Sequence, residues 1–450
     1  MTAGLVPSHL FYQSRLRRPT IARAEGVYIW DVEGRRYLDG SSGAMVSNIG
    51  HSNPRVLEAM REQMNRATFG YRLHFENEPA EQLASVIADL CPGDLDRVFF
   101  VSGGSEATET AIKLARSHKL AVGETTRWKV ISRAPSYHGC TLGALAVSSY
   151  DPLTEPFAPM MREMPKVPAP RCYLDRDGLD PEQAGLRYAE MLRDRILAEG
   201  PESVLAFMME PVGGATTGAL VAPDSYYRRT REICDEFGIL LIYDEVMTGV
   251  GRTGRFLAAE HWDAMPDIVA LAKGFGAGYA PLGAVVAPQR IIEPVLDAGG
   301  FAHGFTYAGN PLACAAGLAV TREIVAHDLM GNTARIGDLL KAGMEGLMAR
   351  FPFIGDVRGK GLLLAFELVA DRQTMAPLPA HLDAYVRLVD IAYERGLIIY
   401  SRRTRGGREG DHFMVCPPMI SDENHVDEIL GKLTESLQVL EAQLNLSVAA

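Results

Sequence analysis

The chain has 450 residues, 47% of them apolar, and a formal net charge of −11. That is enough apolar material for a large core and two or three domains. The acidic balance argues against a nucleic-acid binder or a protein that docks on anionic membrane, since both present a basic face.

Met1 to Pro19 lacks an apolar h-region, so no secretory signal is expected. No apolar run approaches the roughly 18 residues of a membrane span. Val27–Asp31 and Arg36–Asp39 read as a hairpin around Glu33-Gly34. Pro54–Thr68 and Pro79–Leu90 read as amphipathic helices. From there strand and helix alternate. The predicted strands are Arg97–Val101, Lys129–Ser132, Val204–Met209, Gly238–Tyr243, Ile268–Ala272 and Gly283–Ala287. The predicted helices among them are Ala107–His118 and Tyr226–Phe237. Near-continuous apolar strands in this alternation imply a mostly parallel sheet covered on both faces. Beyond Pro311 the pattern becomes two long helices, Leu312–His327 and Asn332–Arg350. A smaller α/β unit follows: strand Gly361–Leu368, helix Ala380–Arg395, strands Leu397–Tyr400 and Phe413–Val415, and helix Glu423–Leu444. Cys91, Cys140, Cys172, Cys234, Cys314 and Cys416 show no CxxC spacing. They read as free thiols of a cytoplasmic protein, and no metal site is expected.

In parallel sheets, ligands bind at the carboxyl ends of strands. Ser102, Glu210, Asp244 and Lys273 all fall just past such ends. Ser102-Gly103-Gly104-Ser105-Glu106 between a strand and a helix reads either as an anion nest or as an ordinary turn with Ser105 as N-cap. Gly249-Val250-Gly251-Arg252-Thr253-Gly254 matches GxGxxG, but four residues separate it from its strand and no good helix follows, so a dinucleotide site is rejected. The absence of GxxxxGK[ST] excludes a P-loop ATPase. Tyr137-His138-Gly139 offers an aromatic ring for stacking, or a satisfied core pair. Ser401 to Arg408 reads as a basic loop, in which one arginine could hold a substrate carboxylate. An amine at Lys273 and an acid at Asp244 are the two groups that pyridoxal phosphate chemistry needs most.

The segment from Leu240 to Ala287 carries an apolar strand and then Asp244-Glu245-Val246. A Gly251-Arg252-Thr253-Gly254-Arg255 turn, Pro266-Asp267-Ile268, Lys273-Gly274 and Pro281-Leu282-Gly283 follow. This series resembles the signature of the class III aminotransferases, pyridoxal 5'-phosphate enzymes of fold type I. The similarity runs from Gly26 to about Glu428. It implies a large domain with a mostly parallel seven-stranded sheet and a smaller α/β domain. The divisions are 1–60 as an N-terminal segment joining the small domain, 61–310 as the cofactor domain and 311–450 as the small domain. By this resemblance Lys273 is the Schiff-base lysine and Asp244 the acid on the pyridinium nitrogen. Val246 and Tyr137 take the two ring faces, with His138 beside them. Gly104 and Ser105 form the phosphate loop, Glu210 lies by the pocket, and Thr306 reaches the phosphate of a neighbouring subunit. The last role implies at least a homodimer with a shared site, or a tetramer. The implied reaction moves an amino group from an amine or ω-amino acid to a keto acid such as pyruvate, by way of pyridoxamine phosphate. A decarboxylase or aminomutase of the same family is the alternative. Three departures stand out: Gly103 replaces a common serine, Met45 stands where some ω-transaminases place a large aromatic residue, and an insertion runs from Arg402 to Arg408. Arg402 and Arg403 are the first candidates for the substrate arginine.

Overall fold

The computed structural model describes residues 9–11, 13–175 and 178–445. Part of the Met1–Pro19 reading, and the outermost residues of the 1–60 and 311–450 tracts, lie outside these.

Seven strands form the central sheet, in the spatial order Arg97–Val101, Gly283–Ala287, Ile268–Leu271, Leu240–Asp244, Val204–Met209, Lys129–Ala134, Lys166–Pro168. Gly283–Ala287 runs antiparallel to both its neighbours, and the other pairings are parallel. Two reversals cancel, so Arg97–Val101 points the same way as the parallel strands. Six strands therefore end at one edge, and the turns after Val101, Ala134, Met209, Asp244 and Leu271 gather there.

The strands Val204–Met209, Leu240–Asp244, Ile268–Leu271 and Gly283–Ala287 are buried at every residue. Their side chains alternate between two cores, as a two-residue period requires. Phe207, Leu241, Tyr243 and Val269 enter one, with Leu192 and Ile196 of helix Pro181–Glu199 and Tyr227 and Ile233 of helix Asp224–Phe237. Ala206, Met208, Ile242 and Ala270 enter the other, against Ala107, Ala111, Leu114 and Ala115 of helix Gly104–Ala121. Small alanines let this helix lie close to the sheet.

Two further sheets lie outside the central one. Ile21–Glu25, Tyr28–Asp31 and Arg36–Asp39 form a meander whose last strand pairs in parallel with Leu397–Ile398. Ile354–Lys360, Leu363–Asp371, Glu409–Val415 and Tyr400–Arg405 form an antiparallel sheet, with Ala376–Pro377 added beside Leu363–Asp371. These strands share a third core with helices Leu329–Arg350, Ala384–Glu394 and Glu423–Leu444.

Several elements depart from the sequence reading. The first helix after Val101 begins at Gly104, three residues before the expected start. Ser105 is therefore inside the helix and is not its N-cap; Gly103 occupies that position without a side-chain bond. The basic tract after Tyr400 is not a loop: Tyr400–Arg405 is a strand paired with Glu409–Val415, turning through Gly406 and Gly407 at positive φ. Helices Pro181–Glu199 and Gln289–Asp297 and strands Ile21–Glu25, Lys166–Pro168 and Ile354–Lys360 had no counterpart in the sequence reading.

Candidate active site

The common strand edge brings Lys273, Asp244, Glu210, Tyr137, His138 and the Gly104 turn together. Lys273 follows Ile268–Leu271 at φ +49°, a left-handed backbone that costs a non-glycine residue about 1 kcal/mol or more. Gly274 behind it has no room for a side chain, since a Cβ there would lie 2.1 Å from Asn48 Nδ2. The lysine direction is thus fixed from both sides. Burial lowers the Lys273 pKa, while Asp244, then Glu210 and Cys416, oppose the shift through their charge. A depressed amine pKa supplies the neutral form that a nucleophile or base requires.

Asp244 ends the neighbouring strand and is only 5% exposed. Its Oδ2 lies 2.8 Å from His138 Nδ1, and its Oδ1 accepts a 3.0 Å bond from the Val246 amide. With a carboxylate as its partner, His138 Nδ1 carries the hydrogen and donates it. The carboxylate is therefore held by one imidazole and one backbone N–H, and no cation pairs with it among the described residues.

Glu210 is buried and turned toward Arg133, whose guanidinium lies 3.4 Å from Glu210 Oε2 and also donates to the Glu210 carbonyl. Its Oε1 accepts from the amides of Tyr137 and Gly214, each at 3.4 Å. Arg133 escaped the sequence reading. Its strand, Lys129–Ala134, also carries Lys129 and Ser132, so its charge did not stand out against an apolar run.

At the start of helix Gly104–Ala121, Ser105 Oγ accepts a 3.0 Å bond from the Cys140 amide. A Cβ on Gly104 would stand 2.9 Å from Val246 Cγ1. Gly104 and Val246 are thus packed against each other. The half-buried Tyr137 has its pKa raised by burial, with Cys140, Tyr400 and Asp244 as further contributors. Tyr400 is therefore near Tyr137, although the sequence did not single it out.

The remaining candidates sit differently. Met45 is 1% exposed, at φ +58°, and packs in the core shared with Phe207 and Tyr243. Arg403 is drawn away by Asp411 at 3.1 Å and Asp383 at 3.0 Å. Arg402 is exposed, has no carboxylate partner among the described residues and stacks its guanidinium 4.8 Å from the Tyr400 ring centre. Thr306 is exposed in the 301–309 loop, as is the large apolar side chain of Tyr307, and Phe69, Tyr71, Leu73 and Phe75 are exposed in the 67–77 tract. Contacts to the 67–77 tract hold this loop: Arg72 donates to the His303 carbonyl, and Phe69 packs edge-on against Tyr307.

The arrangement suits a phosphorylated pyridine aldehyde. It presents a depressed lysine amine, an anchored carboxylate, the start of an 18-residue helix that has no side-chain cap among the described residues, and a close-fitting apolar face at Val246.

Comparison with known proteins agrees with this chemistry. The family described as "Aminotransferase class-III" matches residues 12–437. An uncharacterized aminotransferase, YodT, of Bacillus subtilis is 39% identical over 429 residues, covering 95% of this chain and 96% of that protein. A putrescine–pyruvate aminotransferase of Pseudomonas aeruginosa is 34% identical over 418 residues, covering 91% of this chain and 88% of that protein. The crystal structure of an ω-transaminase from Pseudomonas jessenii in complex with PMP superposes with a TM-score of 0.91 at 31% identity, covering 98% of this chain and 97% of that one.

Proposed function

Because the chain belongs to the class-III aminotransferases, pyridoxal 5'-phosphate enzymes of fold type I, we propose that it moves an amino group from a primary amine or ω-amino acid to pyruvate. The observation that carries this reading is the meeting of Lys273 and Asp244 at the ends of adjacent strands, with the lysine amine depressed by burial.

When bound, the cofactor supplies an electron sink for the pair left by a broken C–H bond. In the proposed site Asp244 pairs with the ring nitrogen, steadied by His138 and the Val246 amide. Val246 and Tyr137 cover the two ring faces. Gly104, Ser105 and the first-turn amides hold the phosphate. Lys273 Nζ takes the proton from the amine-bearing carbon of the donor. In the second half-reaction it returns a proton to the carbon that was the keto group of the acceptor. Glu210, held by Arg133, closes the pocket beside Tyr137. Arg402, exposed beside Tyr400, meets the carboxylate of the acceptor; Arg403 is committed to Asp383 and Asp411 and is the weaker candidate. Met45 is buried three positions before Asn48, which touches Gly274 next to Lys273, so its bulk is proposed to bear on the substrate space from behind.

The homodimer belongs to the same proposal. The exposed aromatic surface of the 67–77 and 301–309 tracts fits a second copy of the chain, and Thr306 of the partner subunit then reaches the phosphate. The six cysteines form no disulfide, which fits a reducing cytoplasm. No helix among the described residues is long and apolar enough to cross a membrane.

Half-reactions test the function. A panel of amines, each mixed alone with purified holoenzyme, should bleach its visible absorbance, and pyruvate should restore it. An aminomutase needs no second substrate, and a decarboxylase releases carbon dioxide. Lys273→Ala should abolish both the lysine-bound absorbance and turnover. Absorbance indifferent to every donor, or an active Lys273→Ala variant, overturns the proposal.

A further inference from the structure

The insertion at the tip of the Tyr400–Arg405 and Glu409–Val415 hairpin does not project into solvent. It lies on the tract that follows Tyr150 in the cofactor half of the molecule. Arg408 Nε lies 2.9 Å from Asp151 Oδ2, and the same guanidinium pairs with Glu155. The two glycines of the turn make the approach possible. At Gly406, φ +63°, a Cβ would stand 3.1 Å from Asp151 Oδ2. At Gly407, φ +81°, a Cβ would stand 2.5 Å from Pro152 Cδ and 2.8 Å from Tyr150 Cζ. Only a tip without side chains can seat here.

This contact has a bearing on the substrate strand. Tyr150 is buried, and its pKa is raised first by that burial, with Arg402, Tyr400 and the Arg403 backbone all near enough to modify it. One surface of the 150–155 tract therefore receives the hairpin tip while Tyr150 receives the strand that carries Tyr400 and Arg402. Arg403 grips the other side of the strand through Asp383 and Asp411. Arg402 stands between these two attachments.

We propose that Arg408 is a positioning residue. By pairing with Asp151 and Glu155 it clasps the hairpin to the cofactor half, and the clasp sets how Arg402 meets an anionic substrate group. This rests on the proposed role of Arg402. The side chains of the clasp are exposed, 61% for Arg408 and 39% and 60% for its partners, so each pair is weak and salt-screened. The clasp tunes affinity for the anionic group and leaves the proton-transfer groups untouched.

Steady-state kinetics of the holoenzyme decide the matter, with pyruvate as acceptor and 1-phenylethylamine as a donor without an anionic group. Arg408→Ala should raise KM for pyruvate about three- to tenfold, the range open to two exposed ion pairs, with kcat within about twofold. KM for the amine should not move. Arg408→Lys should recover most of the loss. Asp151→Asn combined with Glu155→Gln should reproduce it, and adding Arg408→Ala to that pair should add nothing. The two carboxylate variants also keep the test open if Arg408→Ala folds poorly. Arg402→Ala is the control. If it raises KM for pyruvate and Arg408→Ala does not, the clasp is refuted and the role of Arg402 stands. If Arg402→Ala leaves KM unchanged, the role of Arg402 fails and the clasp with it. A kcat that falls equally for every substrate in Arg408→Ala marks a merely structural contact and overturns the proposal.

Discussion

Replacing His138 by phenylalanine tests the electrostatic core of the site with little change in shape. The ring is buried, its Nδ1 donates to Asp244 Oδ2 across 2.8 Å, and its Nε2 has no partner among the described residues. The variant therefore removes one interaction only. Asp244 keeps a single donor, the Val246 amide. A hydrogen bond to a charged group is worth about 1.5–3 kcal/mol, so kcat/KM should fall about 10- to 150-fold if that energy is expressed in the transition state. A double-mutant cycle isolates the pairing. In an Asp244→Asn background the same His138→Phe change should cost less than about threefold, because the charge it supports is gone. Cofactor-saturated half-reactions, followed by absorbance, measure all four proteins. An equal cost in both backgrounds would show that His138 acts by packing alone, and the electrostatic argument would be lost.

Gly104→Ala places a Cβ 2.9 Å from Val246 Cγ1. Overpacking of this kind costs about 1–3 kcal/mol, so the Kd for cofactor, measured by absorbance titration of the apoenzyme, should rise about fivefold or more; an unchanged Kd contradicts the contact. Glu245 is fully buried, accepts from Thr248 and the amides of Ala258 and Ala259, and is pushed by burial from 4.5 up to about 7. A folded value above the unfolded one gives stability that is complete below about pH 4.5 and lost as pH rises through 7, worth about 3 kcal/mol across that interval. Urea unfolding at pH 5 and pH 8 should therefore show a larger drop for the native protein than for Glu245→Gln, and matching drops reject the assignment.

Period and chemistry made the central sheet readable. Val204–Met209 and 240–243 are continuous apolar runs, and burial on both faces is the only environment that suits them. Helix Pro181–Glu199 was missed because much of it is charged: only a narrow set, including Tyr188, Leu192 and Ile196, is buried. Ser401 to Arg408 reads as a loop because arginines usually signal solvent, yet Arg403 and Arg408 are satisfied by carboxylates 8 to more than 250 positions away. Such long-range partners leave no local trace. Within the candidate site, Lys273, Asp244 and Glu210 stood out because each is a charge at the end of an apolar strand. Tyr400 and the anchoring function of His138 required coordinates, since a lone aromatic or histidine is most often core.

Arg252 lies fully buried, donating to the carbonyls of Leu362 and Pro417, to Ser42 Oγ and to Asn48 Oδ1, and burial lowers its pKa to about 10. Position 45 falls between two of those acceptors. Anyone seeking to widen substrate range by enlarging or shrinking Met45 will thus be working on a span pinned at both ends to one guanidinium. Substitutions there are best screened for thermal tolerance alongside turnover, and paired with changes at 42 or 48 only when the donor count of that arginine is respected.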